Sequence, residues 1–151
     1  FPIALNALNI GRFKLGAADL GGSKHAIGYV TEFALERLQF GQPIADFQLI
    51  QAMLADSKAE AYAAECMVLD AAKRRDAGEQ ITTLASCSKL FATEMVGRVA
   101  DRAVQIHGGY GLMKDYQVER FYRDQKLLEI GEGTSEVQRV VIARHIGAKC
   151  L

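Results

Sequence analysis

Small and apolar residues recur at helical spacing along most of this chain. Leu5, Leu8, Leu15, Ala18, Gly22, Ala26, Tyr29 and Phe33 fall three, four or seven residues apart, the pattern of an amphipathic helix. Gly21-Gly22 inside that run reads either as a kink or as a close contact between helices. Phe40-Gly41-Gln42-Pro43 closes it, because glycine and proline end helices. Asp46 is placed to cap a second helix. The stripe of that helix (Ile50, Leu54, Ser57, Ala61, Ala64, Val68, Ala71) is mostly small, so neighbouring helices can approach closely. Lys73-Arg74-Arg75 falls in its last turn, where cations suit the helix dipole, and Ala77-Gly78 ends it. A third helix starts near Thr83, with Leu84, Cys87, Phe91, Met95, Val99, Ala103 and Ile106 on one face. It stops at Gly108-Gly109-Tyr110-Gly111. A shorter piece runs from Val118 to Leu128, and a final helix from Ser135 to about Ile146, with Val137, Val140, Val141 and Ile146 as its apolar residues.

No stretch alternates with period two for long enough to make a strand. Three long helices and a shorter fourth, joined by short loops, predict an all-α antiparallel up-down four-helix bundle. No linker composition divides the chain, so residues 1–151 are expected to form one domain.

Composition narrows the function classes. Half the residues are hydrophobic and 24% are charged, an ordinary globular balance. Eighteen basic and eighteen acidic residues cancel, which argues against nucleic acid or an acidic membrane surface as partner. Cys66, Cys87 and Cys150 are odd in number and show no CxxC spacing. A zinc site or disulfide framework is not expected, and a reducing compartment fits better. No apolar run is long enough to span a bilayer. Phe1-Pro2-Ile3-Ala4-Leu5 lacks the basic flank of a signal peptide. With no initiator Met, the chain reads as cut from something longer.

One carboxylate stands out. Glu132 sits between Gly131 and Gly133, just ahead of the last helix. Both glycines can take positive φ and leave no side-chain bulk beside it. Ser135 and Gln138 have capping-box spacing, which predicts a helix start there. Glu132 then lies near a helix N-terminus, whose free N–H groups favour anions. Alone, the turn is also what an ordinary helix start with an exposed acid looks like. Four further stretches accompany it: Asn9-Ile10-Gly11-Arg12, Arg37-Leu38-Gln39-Phe40-Gly41 with Gln48, Gln105-Ile106-His107-Gly108-Gly109-Tyr110-Gly111, and Arg120-Phe121-Tyr122-Arg123-Asp124. The Gly-x-Gly pattern lacks the preceding strand that a dinucleotide fingerprint requires.

In this order and spacing, with Leu8, Glu36, Phe47, Glu119 and Thr134 added, these stretches closely resemble the C-terminal helical domain of the acyl-CoA dehydrogenases. The resemblance covers nearly the whole chain. It implies a FAD-dependent oxidoreductase that removes two hydrogens from Cα and Cβ of an acyl-CoA thioester, in fatty acid or amino acid catabolism. Glu132 matches the family's general base, which takes the α-proton, while the β-hydrogen leaves as hydride to FAD. Some members carry the base on the first helix beside the arginine, where this chain has Gly11. Asn9, Arg12 and Gly133 resemble positions near the substrate. Arg37, Phe40 and Gln48 resemble contacts to the FAD of a neighbouring subunit, with Arg37 toward the pyrophosphate, and Gln105, Gly108 and Gly109 resemble contacts to its adenosine side. Thr134 and Glu136 resemble FAD contacts on the base-bearing side.

The resemblance further implies self-association as a homodimer or homotetramer, an electron-transfer flavoprotein or similar acceptor, and a bacterial cytoplasmic or mitochondrial matrix location. Two departures stand against it. Gly131 replaces a Tyr common before the base. The family's N-terminal helical and middle β domains lie outside this chain, so the 151 residues alone are expected to be inactive. A non-catalytic oligomerisation or binding module on the same bundle is the alternative; Glu132, Arg37 and Gln105 together favour the enzyme.

Overall fold

The structure is a computed structural model. It describes residues 2–147, with side chains from residue 8 onward; Cys150 lies outside the described residues. Five α-helices follow one another: α1 (Pro2–Glu36), α2 (Gln48–Asp76), α3 (Thr82–His107), α4 (Gln117–Ile130) and α5 (Ser135–His145). The fold is all-α and its long helices pack antiparallel, as the periodicity predicts. α3 is the central member and touches α1, α2, α4 and α5.

The first two helices are joined by a small hairpin that the period-two reading does not find. Leu38–Gln39 (β1) pairs antiparallel with Gln42–Pro43 (β2). Phe40 and Gly41 form its tip with φ of 53° and 83°, the paired positive φ that a tight two-residue hairpin turn demands. This hairpin ends α1 at Glu36, earlier than the Gly-Pro signal suggests. Asp46 does not cap α2. It closes a single 3₁₀ turn, and Phe47 occupies the N-cap position with no side-chain hydrogen bond.

Packing is built on small residues. Ala26, Ala61, Ala64, Ala92, Met95 and Val99 form one core cluster where α1, α2 and α3 meet. Val30, Ala34, Ile44, Ala103, Ile106 and Val118 form a second toward the hairpin. Alanine faces let helix axes come close, and Met95, wholly buried, fills what remains. Truncating such a side chain to Ala costs about 2–5 kcal/mol. Helix α1 runs unbroken through Gly21-Gly22. Gly22 is the contact: a β-carbon there would lie 3.3 Å from the Phe121 ring of α4, whereas Gly21 faces open space.

Two faces differ from the apolar pattern. On α1, Leu8 and Ala18 are exposed, while Arg12, Asp19 and Ser23 are buried together with Ala26, Val30 and Ala34. On α5, Val137 and Val140 are exposed, as is Ile146 just past its end, and Ser135 and Gln138 are buried. In both helices the hidden face near the Glu132 turn is polar, which inverts the usual amphipathic signal.

Candidate functional site

The turn between α4 and α5 is held from three sides. Glu132 itself takes φ of 55°, and Gly133 takes 92°. Gly131, expected to share the positive φ, instead stays extended at −62°. A non-glycine residue in this region carries about 1–3 kcal/mol of backbone strain unless its surroundings compensate. The compensation is visible in the carbonyls. Nε of Arg12, a buried side chain on α1, donates to the carbonyl of Glu132 at 3.3 Å. Nε2 of Gln138, on α5 and wholly buried, donates to the same carbonyl at 3.1 Å and to that of Gly133 at 2.9 Å. Gln138 therefore turns back onto the loop and does not complete a capping box with Ser135. Thr134 is the N-cap, its hydroxyl accepting from the N–H of Val137 at 3.3 Å.

Arg12 is oriented in turn. Its Nη1 donates to Oδ1 of Asn9 at 3.1 Å, and Nδ2 of Asn9 donates to the Thr82 hydroxyl at the start of α3 at 3.0 Å. The Glu132 carboxylate is exposed and lies over α1 at Gly11. Gly133 leaves room for the Gln138 amide, which a β-carbon at residue 133 would approach to 2.8 Å. The structure thus gathers Asn9, Gly11, Arg12, Glu132, Gly133 and Thr134 around one turn. Glu136 follows in the exposed first turn of α5. Its carboxylate is held below the usual range by its own backbone N–H and by the Thr134 hydroxyl, as befits an acid at a helix N-terminus.

The second set of residues lies at the other end of the bundle. Arg12 and Arg37 stand 25 positions apart on α1 and its exit, roughly 37 Å at 1.5 Å per residue. There Arg37, Gly108 and Gly109 line a pocket of about 450 Å³ with Phe33, His107 and Tyr110. Cζ of Arg37 lies 5.0 Å from the Tyr110 ring centroid. His107 is buried and stacks on Phe33 at 3.9 Å between centroids. Its Nδ1–H donates to the Ala103 carbonyl at 2.9 Å, leaving Nε2 as a buried acceptor without a partner. Burial pushes its pKa below the ordinary 6.5, against the pull of that carbonyl.

Phe40, Gln48 and Gln105 do not line this pocket. Phe40 is 93% exposed at the hairpin tip, edge-on to Phe47, and both glutamines are exposed. His107 and Tyr110 sat inside the glycine-rich stretch without standing out, since a lone His at a helix end carries no pattern of its own. Arg120, Arg123 and Asp124 border another cavity, of about 550 Å³, between α1 and α4 and away from Glu132. Among the described residues no group of three or more His, Cys, Asp or Glu side chains converges as a metal site would.

Comparison with known proteins gives a family. The family described as "Acyl-CoA dehydrogenase, C-terminal domain" matches residues 1–147. A probable acyl-CoA dehydrogenase of Bacillus subtilis (strain 168) is 50% identical over 97% of this chain, and the chain spans 38% of that relative's length. The structure of butyryl-CoA dehydrogenase from Megasphaera elsdenii superposes with a TM-score of 0.94 at 39% identity, covering 97% of this chain and 38% of that one. An acyl-CoA dehydrogenase of Bacillus anthracis, solved with FAD, superposes with a TM-score of 0.90 at 38% identity, covering 95% of this chain and 28% of that one. A match over nearly all of its residues, in sequence and in fold, shows that this chain belongs to the acyl-CoA dehydrogenase family, as its C-terminal domain.

Proposed function

We propose that this domain serves a flavin-dependent α,β-dehydrogenation of an acyl-CoA thioester, with Glu132 as the base that takes the α-proton. The observation that carries the reading is the held turn. Glu132 projects an exposed carboxylate from a strained backbone that buried Arg12 and Gln138 fix through its carbonyl. A plain helix start needs neither the strain nor two buried donors on one carbonyl. Such fixing keeps a base within reach of its proton, and orientation contributes to rate as strongly as basicity does. Asn9, Arg12 and Gly133 border the place where the thioester would lie.

The pocket at Arg37 fits part of a FAD molecule. It offers one guanidinium for a phosphate, two glycines with nothing within 4 Å of where a β-carbon would stand, and an unpaired buried acceptor on His107. FAD, when bound, accepts the β-hydrogen as hydride. Thr134 and Glu136 lie by the base and Arg37 lies at the far end of α1, farther apart than one extended FAD reaches. This supports a split in which the two ends serve cofactors in different subunits, with Phe40, Gln48 and Gln105 contributing across that interface. Exposed Leu35, Leu38, Phe40 and Leu49 around the hairpin support a homodimer or homotetramer. An electron-transfer flavoprotein or a similar acceptor would reoxidise the flavin. No helix of the described residues is long and apolar enough to cross a membrane, and Cys66 and Cys87 are free thiols; both fit a bacterial cytoplasm or a mitochondrial matrix.

The test is Glu132→Gln in the full-length, FAD-loaded protein that carries this domain. Anaerobic bleaching of the flavin by a series of saturated acyl-CoA thioesters should slow by about 10²–10⁴-fold, with acyl-CoA still bound. Bleaching at the wild-type rate would remove Glu132 from the role.

A further inference from the structure

Lys89 has no part in the assignments above, yet it is wholly buried and reaches the same turn. It sits on α3, and its Nζ donates to the carbonyl of Glu129 at 3.0 Å. That carbonyl belongs to the last turn of α4, where carbonyls lack helical partners and cations are favoured. Close by on α1 is Asp19, also buried, with neither carboxyl oxygen hydrogen-bonded. The two groups feel each other's charge but do not make contact. A buried ammonium without a contact ion pair is a poor way to stabilise a fold, since an apolar side chain of similar volume would usually serve as well or better. What methionine could not do at residue 89 is donate to Glu129.

Three carbonyls, one in the last turn of α4 and two in the loop that follows, are therefore held by three buried side chains from three helices. Lys89 of α3 takes that of Glu129, Arg12 of α1 takes that of Glu132, and Gln138 of α5 takes those of Glu132 and Gly133. We propose that Lys89 is a positioning residue for the base: by fixing the exit of α4 three residues before Glu132, it sets where the Glu132 carboxylate stands. The proposal rests on Glu132 being the base. In this role Lys89 acts through the Glu129 carbonyl and not on substrate or cofactor.

The experiment uses the full-length, FAD-loaded protein and the saturated acyl-CoA that the wild type turns over fastest. Lys89→Met should lower kcat at least tenfold while KM stays within about threefold, because the carboxylate moves and the binding surfaces do not. The double variant Asp19→Asn/Lys89→Met removes both buried groups. It should melt at or above the wild-type temperature and still show the low kcat. Recovery of kcat together with stability would overturn the proposal, since Lys89 would then matter only through the charge balance of the core. Failure of the charge-free double variant to fold would also overturn it, making Lys89 a requirement of the bundle and not of the turn. Glu132→Gln run alongside separates the two levels: full activity in that variant removes the base assignment itself, whereas loss there with wild-type kcat in Lys89→Met removes only the positioning role.

Discussion

The Glu132 carboxylate rests against the backbone of Gly11: a β-carbon at residue 11 would stand 2.3 Å from Oε2 and 2.6 Å from the carboxyl carbon. Two positions 121 residues apart in sequence thus compete for one space. In the family that this chain resembles, the base stands at one or the other of them. Here the contact gives that alternative a steric basis, because the two side chains would occupy the same volume.

Gly11→Ala follows directly. Replacing a mid-helix glycine with alanine stabilises a helix by roughly 0.5–1 kcal/mol. The clash falls on the far end of a flexible glutamate, so the side chain swings aside and the fold survives. The Glu132 carboxylate, the proposed base, is then re-aimed. We expect a melting temperature equal to or above wild type with kcat lowered severalfold, on the order of tenfold at most. A raised melting temperature with unchanged kcat would mean that the carboxylate does not rest at Gly11 in the working enzyme.

Glu132→Gly separates strain from chemistry. With φ of 55° at residue 132, glycine removes a conformational cost of about 1–2 kcal/mol, partly offset by its greater freedom in the unfolded chain. The variant should be inactive and as stable as wild type or up to about 1 kcal/mol more so, read by chemical denaturation. A clear loss of stability would show that the glutamate side chain itself supports the fold.

Much of the fold was legible in the sequence because helices α2 and α3 bury what their patterns advertise. Ala61, Ala64, Val68 and Ala71 of α2, and Met95, Val99, Ala103 and Ile106 of α3, are all buried. The residues that hold the Glu132 turn were less legible. Arg12 stood out only by resemblance and Gln138 only as a capping-box partner, nothing in the pattern marked Asp19 or Lys89, and it is the packing of α1, α4 and α5 onto α3 that buries all four. Glu132 was singled out by its flanking glycines and by resemblance, and the residue with the unusual backbone is Glu132 and not Gly131. The hairpin was missed because two-residue strands carry no period. Its signal lay in Phe40-Gly41, which puts a bulky residue where Asn or Asp would be ordinary.

Phe40 and Arg37 should therefore behave differently from structural residues. Phe40→Asn relieves a positive φ at an exposed tip, so the hairpin should gain a few tenths of a kcal/mol. Arg37→Ala gives up a cation–π contact with Tyr110, about 0.5–1 kcal/mol. A charge-assisted bond to a cofactor phosphate contributes more, about 1.5–3 kcal/mol. Each variant of the full-length protein should purify with less FAD than wild type, Arg37→Ala most markedly, while its melting temperature without flavin changes little. Full flavin occupancy in both would remove this end of the bundle from the cofactor site.

Asp19 makes a prediction about pH. Burial, partly countered by the charge of Lys89, pushes its pKa from 3.8 up to about 7. Between these values the folded protein holds a proton that the unfolded chain has lost. Stability contributed through Asp19 therefore falls as pH rises from about 4 to about 7 and is level above that. His107 acts with the opposite sign: its pKa is below the ordinary 6.5, so its contribution grows as pH rises through that value and both groups overlap in one window. A difference measurement isolates Asp19. Asp19→Asn keeps the shape without the ionisation and leaves His107 untouched. It should match wild type near pH 4 and exceed it increasingly up to about pH 7, with a plateau of at most a few kcal/mol, the attraction of Lys89 being already contained in that shift. Urea unfolding of both proteins across pH 4 to 8 is the measurement. A constant difference over that range would show that the Asp19 carboxyl titrates at its ordinary value and is solvated where the structure has it buried.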